Sequence, residues 1–301
     1  MDNREAYFAT NEIPAGAQVL FAEFSGEGKF YSCTYLHDIV YARYGDKEMR
    51  LQIIKPYQIE KKFPLVVYIQ GSAWGEQDLY EAIPKLSHVA EKGYVIASVE
   101  IRDTRIARFP TPLEDVKCAI RFMRKNADTY GVDINNVAIW GDSSGGHLSL
   151  MAGLTIGEYN NGLYGEESDE VCAVVDYFGV SDILTLGKHN DILDHDSPNA
   201  PEALLIGGRI KDNIKLAKKA SPIHQDLGKK LPAFFIIHGD SDKMVHISQS
   251  IEMFKALKEN GQSVLFYKVI GGGHGGGIWN PQVLNLTEQF LSANLKRPDN
   301  G

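Results

Sequence analysis

A doubly wound α/β fold on a mostly parallel central sheet is predicted by three observations. From Leu65 onward, short apolar runs alternate with helical patterns, the mark of parallel βαβ crossovers. Upstream, two strand-like runs are separated only by Tyr44-Gly45-Asp46-Lys47, an antiparallel hairpin that forms one sheet edge. The chain has 301 residues, about twice the ~150-residue domain prior, yet α/β folds of this length are often one domain. No linker or internal repeat divides it, so residues 1–34 read as a lead-in and 35–300 as a single domain.

The hairpin strands are expected at Tyr35–Arg43 and Glu48–Lys55, and the next strands at Leu65–Gln70, Tyr94–Val99, Val137–Trp140 and Val171–Phe178. Helical patterns lie between them at Ile83–Lys92, Pro112–Tyr130 and Ser144–Gly157. The second of these has Thr111 as its N-cap, Pro112 at the first position and Glu114 closing a capping box. Leu113, Val116, Ile120 and Met123 give it one apolar face, with charges on the other. Gly179 to Lys230 is rich in Asp, Asn, His, Pro and Gly with weak periodicity, and reads as a small polar lid insertion. Regular structure resumes with strand Ala233–His238, a helix carrying Ile247, Ile251, Phe254 and Leu257, strand Ser263–Ile270 and helix Pro281–Leu295.

Composition excludes several functions. With 44% hydrophobic and 23% charged residues the chain buries a large core. A net charge of −8 without any basic cluster repels phosphate backbones, so no nucleic-acid partner is expected. No apolar run reaches 18 residues, and Met1 to Thr10 lacks the basic start and apolar core of a signal peptide, so a cytoplasmic setting without a membrane partner is expected. Cys33, Cys118 and Cys172 are too few and too scattered for a disulfide framework or a zinc half-site, and read as small hydrophobes. His189, Asp191, Asp194, His195 and Asp196 match no metal-ligand spacing and read as a solvated loop, so no metal is expected.

The chemistry is carried by Gly141-Asp142-Ser143-Ser144-Gly145-Gly146-His147, which lies directly between a strand and a helix. Gly-x-Ser-x-Gly in that context is a sharp turn that exposes the serine hydroxyl, and the glycines permit close backbone approach. A serine hydroxyl needs an imidazole base, and the imidazole needs a carboxylate to hold its tautomer. Both follow downstream at strand ends: His238-Gly239-Asp240-Ser241-Asp242, and Gly273-His274-Gly275 within a glycine run. Strand carboxyl ends of a parallel sheet gather on one edge, so Ser143, Asp242 and His274 are expected to meet, with Asp240 the alternative carboxylate. His147 and His238 read as structural. A tetrahedral oxyanion needs N–H donors, for which Ser144 and the Ser72 and Ala73 amides of Gln70-Gly71-Ser72-Ala73-Trp74-Gly75 are the candidates. Trp74, Tyr177, Phe178 and Trp279 are candidate pocket walls, with Trp74 and Trp279 foremost.

These motifs, together with Phe109-Pro110, Leu113-Glu114-Asp115-Val116 and Ala220-Ser221-Pro222-Ile223, resemble the α/β-hydrolase superfamily. The resemblance covers about residues 35–296. It is nearest to the bacterial feruloyl and acetyl-xylan esterase-like carboxylesterases related to the hormone-sensitive-lipase group. It implies Ser143 as nucleophile, His274 as base and Asp242 as acid partner, and no cofactor. Gln70-Gly71-Ser72-Ala73 stands where the wider group has His-Gly-Gly-Gly, which favours the carbohydrate-esterase branch over lipases. Val245-His246 replaces a common Val-Pro after the aspartate and leaves the pocket near His246 undefined. The expected partner is a small ester of short or aromatic acyl groups, such as acetyl or feruloyl esters of a sugar or oligosaccharide, and a homo-oligomer is compatible with the sequence. The alternatives are an amide or formamide hydrolase, a peptidase, and a non-catalytic ligand-binding protein on the same fold.

Overall fold

The structure, a computed structural model, describes residue 18 and residues 30–57, 61–189 and 192–296. Most of the expected lead-in, along with Asp191, lies outside the described residues. Eight strands form one sheet in the order β1-β2-β4-β3-β5-β6-β7-β8. Strands β1 (Cys33–Tyr44) and β2 (Lys47–Pro56) form the hairpin, and β2 runs antiparallel to β4 (Val95–Val99). The remaining strands, β3 (Phe63–Ile69), β5 (Val132–Asp142), β6 (Ala173–Tyr177), β7 (Ala233–Gly239) and β8 (Val264–Val269), are parallel with β4. β3 is buried at every position, as expected of a strand covered on both faces.

Two cores follow from that double coverage. On one face lie α1 (Ile83–Ala90) and α8 (Pro281–Asn294), which bury Leu86, Val89, Phe290 and Leu291 against Val66, Tyr68 and Trp140. On the other lie α2 (Thr111–Lys125), α4 (Ser144–Leu154) and α7 (Ser248–Glu259), which contribute Val116, Ile120, Leu148, Met253 and Leu257.

The predicted Pro112–Tyr130 helix is two: α2, then α3 (Ala127–Tyr130) after a break at Asn126. Thr111 is the first helical residue and not the cap, because the Leu113 and Glu114 N–H groups already bond the Pro110 carbonyl, and the capping box does not form. Part of the charged face is drawn inside. Asp115, Lys117 and Arg121 are buried. Asp115 accepts two hydrogen bonds from the Arg102 guanidinium at 2.7 and 3.0 Å, and Lys117 meets Asp169 at 2.7 Å. Such pairing is what burial of charge demands.

Between β6 and β7 the inserted segment carries one-turn helices at Ile183–Thr185, Ile210–Asp212 and Pro222–His224, plus α5 (Pro201–Ile206) and α6 (Ile214–Lys219). It lies over the carboxyl ends of the strands, where Leu186, Leu193 and Pro201 face Ser143.

Candidate functional site

Ser143 stands between β5 and α4 at φ 53° and ψ −122°, a conformation that non-glycine residues rarely adopt. The neighbouring glycines make this turn fit. A Cβ on Gly145 would lie 2.0 Å from the Ile69 carbonyl oxygen, and one on Gly71 would lie 2.8 Å from the Ser143 Cβ. The turn is pinned by the Ser143 N–H, which donates to the Tyr177 carbonyl at 2.9 Å.

The β7–α7 and β8–α8 loops bring the two downstream candidates to this point. His274 Nε2 lies 2.9 Å from Ser143 Oγ, and His274 Nδ1 lies 2.8 Å from Asp242 Oδ2. Asp242 Oδ1 accepts from the Met244 and Val245 N–H groups at 2.9 and 3.0 Å. Burial alone pushes this carboxyl upward, but hydrogen bonds from His238 and His274 and the backbone N–H groups outweigh it, so Asp242 stays well below the usual carboxylate range. Of the two imidazoles His274 is the better placed, since His238 Nε2 is closer to the Val245 carbonyl (2.8 Å) than to Asp242 (3.3 Å). Phe178 covers the His274 ring edge-on at 4.9 Å. Asp240, the alternative carboxylate, faces outward and holds the Gly271 N–H at 2.7 Å.

Ser143 and His274 line a cavity of about 40 Å³ with Ala73, Trp74 and Ser144. The loop after β3 shapes its wall. Asp142 Oδ1 accepts from Tyr68 Oη at 2.6 Å and from the Gly71 N–H at 3.1 Å, tying the loop to the serine turn. Ala73 and Trp74 then take φ values of 53° and 56°. The Ala73 and Ser144 N–H groups, both predicted donors, have no hydrogen-bond partner among the described residues. The Ser72 N–H, also predicted, is taken: it donates to Ser144 Oγ at 2.9 Å. The hydroxyl next to Ser143 in the chain thus occupies that amide.

The family model BD-FAE matches residues 51–257. The chain belongs to the BD-FAE family. Among curated proteins, Esterase LipC of Mycobacterium tuberculosis is 30% identical over 71% of this chain and 53% of its own length. Esterase LipQ of the same organism is 29% identical over 71% and 50%. The chain therefore spans about half the length of the curated relatives it matches. Among solved structures, a bifunctional GH43-CE of Bacteroides eggerthii is 34% identical with a TM-score of 0.79, over 86% of this chain and 35% of that one. A truncated form of a carbohydrate esterase from gut microbiota is 29% identical with a TM-score of 0.76, over 89% of this chain and 98% of that one. The fold of this BD-FAE family member is the α/β-hydrolase fold.

Of the predicted walls, Trp74 lines the cavity. Its indole N–H donates to His147 Nδ1 at 3.0 Å, so His147 Nε2 carries the proton and donates to the Ala220 carbonyl at 2.7 Å. Burial pushes His147 down to about 4, with the Ala220 bond opposing, so the imidazole that holds Trp74 is neutral. Trp279 does not reach the cavity. Gly275 and Gly277, at φ 76° and 77°, reverse the chain, and the ring falls on the opposite side among Tyr68, Trp140 and Tyr177. Tyr177, at the end of β6, is also core, packed on Trp140.

His195, read from sequence as solvated, is buried in the cavity wall with its Nδ1 2.6 Å from Glu202 Oε1. Glu202 escaped the sequence reading because the pair forms only when the insertion folds back. Near the undefined end of the pocket, the His246 ring stacks on His189 at 3.7 Å. Among the described residues no three His, Cys, Asp or Glu side chains gather as a metal site, and no helix is long and apolar enough to cross a membrane.

Beneath α4 lies Asp176, buried, with Oδ1 accepting the Gly179 N–H at 2.9 Å. Burial pushes its carboxyl up to about 7, against the pull of that N–H. The folded state thus holds a proton that the unfolded chain releases at ordinary carboxylate pH. The associated stability is complete below the unfolded value and is lost as pH rises through about 7. Asp176→Asn keeps the acceptor for Gly179 and cannot ionise. Urea unfolding should show the variant gaining on the parent between about pH 4 and pH 8, by up to about 4 kcal/mol, with no further gain above that. A constant difference across that range would mean that Asp176 does not titrate there.

Proposed function

We propose that this protein is a serine carboxylesterase that removes short acyl groups, chiefly acetyl, from carbohydrates. The observation that carries the reading is the hydrogen-bonded series Ser143 Oγ, His274, Asp242, opening on a cavity with two uncommitted backbone N–H groups. In this reading Ser143 Oγ attacks the ester carbonyl carbon while its proton passes to His274 Nε2. Asp242 holds the imidazole by Nδ1–H and stabilises its charged form. The oxyanion is received by the Ala73 and Ser144 N–H groups. His274 then gives the proton to the leaving alcohol, and water, activated by the same imidazole, hydrolyses the acyl-serine. The two carbohydrate-esterase neighbours support the sugar as the alcohol.

Cavity size bears on the acyl group. About 40 Å³ beside Ser143 is far below the ~300–1,000 Å³ of clefts that take drug-sized ligands. Leu186, Val180 and Met244 line it, which favours a short acyl group such as acetyl over a feruloyl ring. On p-nitrophenyl esters from acetate to octanoate, kcat/KM is expected to fall at least about tenfold by butyrate, since overpacking a filled site costs ~1–3 kcal/mol. Acetylated xylo-oligosaccharides should be cleaved and methyl ferulate should not. A profile that rises toward octanoate, or fast turnover of methyl ferulate, refutes the short-acyl assignment.

A further inference from the structure

A second concavity, of about 610 Å³, lies beyond α5 from the Ser143 cavity. No lining residue is common to both, but their walls are linked through neighbouring residues. Trp74 faces the cavity, and its carbonyl accepts the N–H of Thr104, which lines the groove, at 3.0 Å. Helix α5 presents Pro201 and Glu202 to the cavity and Ala203 and Leu204 to the groove. A substrate held at Ser143 therefore has room to extend across this rim, in a space within the ~300–1,000 Å³ typical of ligand clefts.

The groove has a distinct charge. Arg105 and Arg108 both line it, in a chain whose net charge is −8. Arg105 is committed: its guanidinium bonds Asp103 and lies 3.6 Å from Glu76. The Arg108 side chain has no hydrogen bond or ion pair with any described residue. It is nonetheless held in place. Its Nη1 and Cδ lie 2.8 and 2.9 Å from where a Cβ on Gly207 would stand, so it packs flat on a residue that must be glycine, at φ +79°, to end α5. A guanidinium that is positioned by packing, lacks an internal anion and faces a groove beside a reaction centre is poised for a planar anion, which it bonds through two parallel N–H groups.

We infer that this groove is a binding subsite for a carboxylate-bearing sugar, a uronic acid unit of the acylated oligosaccharide, with Arg108 as its specificity-determining residue. The inference rests on the carbohydrate-esterase reading, and it makes acidic glycan esters the substrate class. Arg105, already paired with Asp103, adds positive field but not the direct contact.

The test uses two ligands that differ by one carboxylate: xylotriose and xylotriose carrying a glucuronate branch, free and acetylated. With the acetylated pair, kcat/KM of the parent enzyme should favour the acidic substrate by about tenfold or more, the gain residing in KM and shrinking with added salt. Arg108→Gln should equalise the two, and Arg108→Lys should fall between, having charge without the fork. Calorimetry on Ser143→Ala protein with the free oligosaccharides reads the same contact without turnover. Equal binding and equal kcat/KM for both ligands in the parent, or a preference that survives Arg108→Gln, overturns the subsite. Displacement by millimolar inorganic phosphate at constant ionic strength overturns the carboxylate assignment. Turnover of p-nitrophenyl acetate, which has no sugar to reach the groove, separates a failure of the subsite from a failure of the esterase reading.

Discussion

Ser143→Ala is expected to lower kcat on p-nitrophenyl acetate by about four to six orders of magnitude while leaving the unfolding curve in place. The loss is large because the variant has no atom to form the acyl bond. The fold is spared because alanine keeps the Cβ that already tolerates φ 53°, and the backbone bond from the Ser143 N–H to Tyr177 is untouched. What disappears is one hydrogen bond to His274, on a partly exposed side chain. Organophosphate labelling gives a second readout: one equivalent should attach to the parent at Ser143 and none to the variant. Activity in Ser143→Ala within tenfold of the parent would remove the serine mechanism altogether.

Much of this site could be read before any coordinates, for a physical reason. The serine turn, the carboxylate loop and the imidazole loop each follow a run of β-branched and aromatic residues with glycines at the end, and strand plus glycine is a local signal. A parallel sheet then gathers strand ends on one edge without further information. The features misread are those fixed by distant partners. Nothing near Lys117 announces Asp169, 52 residues on, so the sequence shows a charged face without showing that this pair is buried in it. The six-residue helices α5 and α6 complete too few turns for periodicity to show, and His195 could not be seen facing Glu202. Trp279 reads from the sequence as a pocket wall and instead joins the core, because two left-handed glycines decide on which side of the sheet its ring falls. The Ser72 amide was lost to a contact with Ser144, 72 residues away.

The same geometry orders the roles of the two histidines near Asp242. His238 is fully buried, and its Nε2 must carry the proton because the Val245 carbonyl at 2.8 Å can only accept; Nδ1 then accepts from Ser250 Oγ at 2.7 Å. It is a fixed donor beneath the carboxylate and a positioning residue. His274 is the partly exposed ring with one nitrogen on the carboxylate and the other on the serine, and only it can exchange a proton with a ligand in the cavity.

Asp242→Asn should then cost about 10⁴-fold in kcat while the protein still folds, and the surrounding donors say why. The Met244 and Val245 N–H groups both point at Oδ1, so the asparagine carbonyl must occupy that place. Its NH₂ is forced into the position of Oδ2, facing His274 Nδ1. Two donors cannot meet, so His274 adopts the tautomer with the proton on Nε2, which points at Ser143 Oγ and can no longer accept from it. The base is present, correctly oriented and wrongly protonated. Proton NMR reads this independently of turnover: a low-field Nδ1–H resonance in the parent should be absent in the variant. A variant that keeps that resonance, or loses less than about tenfold in kcat, would show that Asp242 does not set the tautomer of His274.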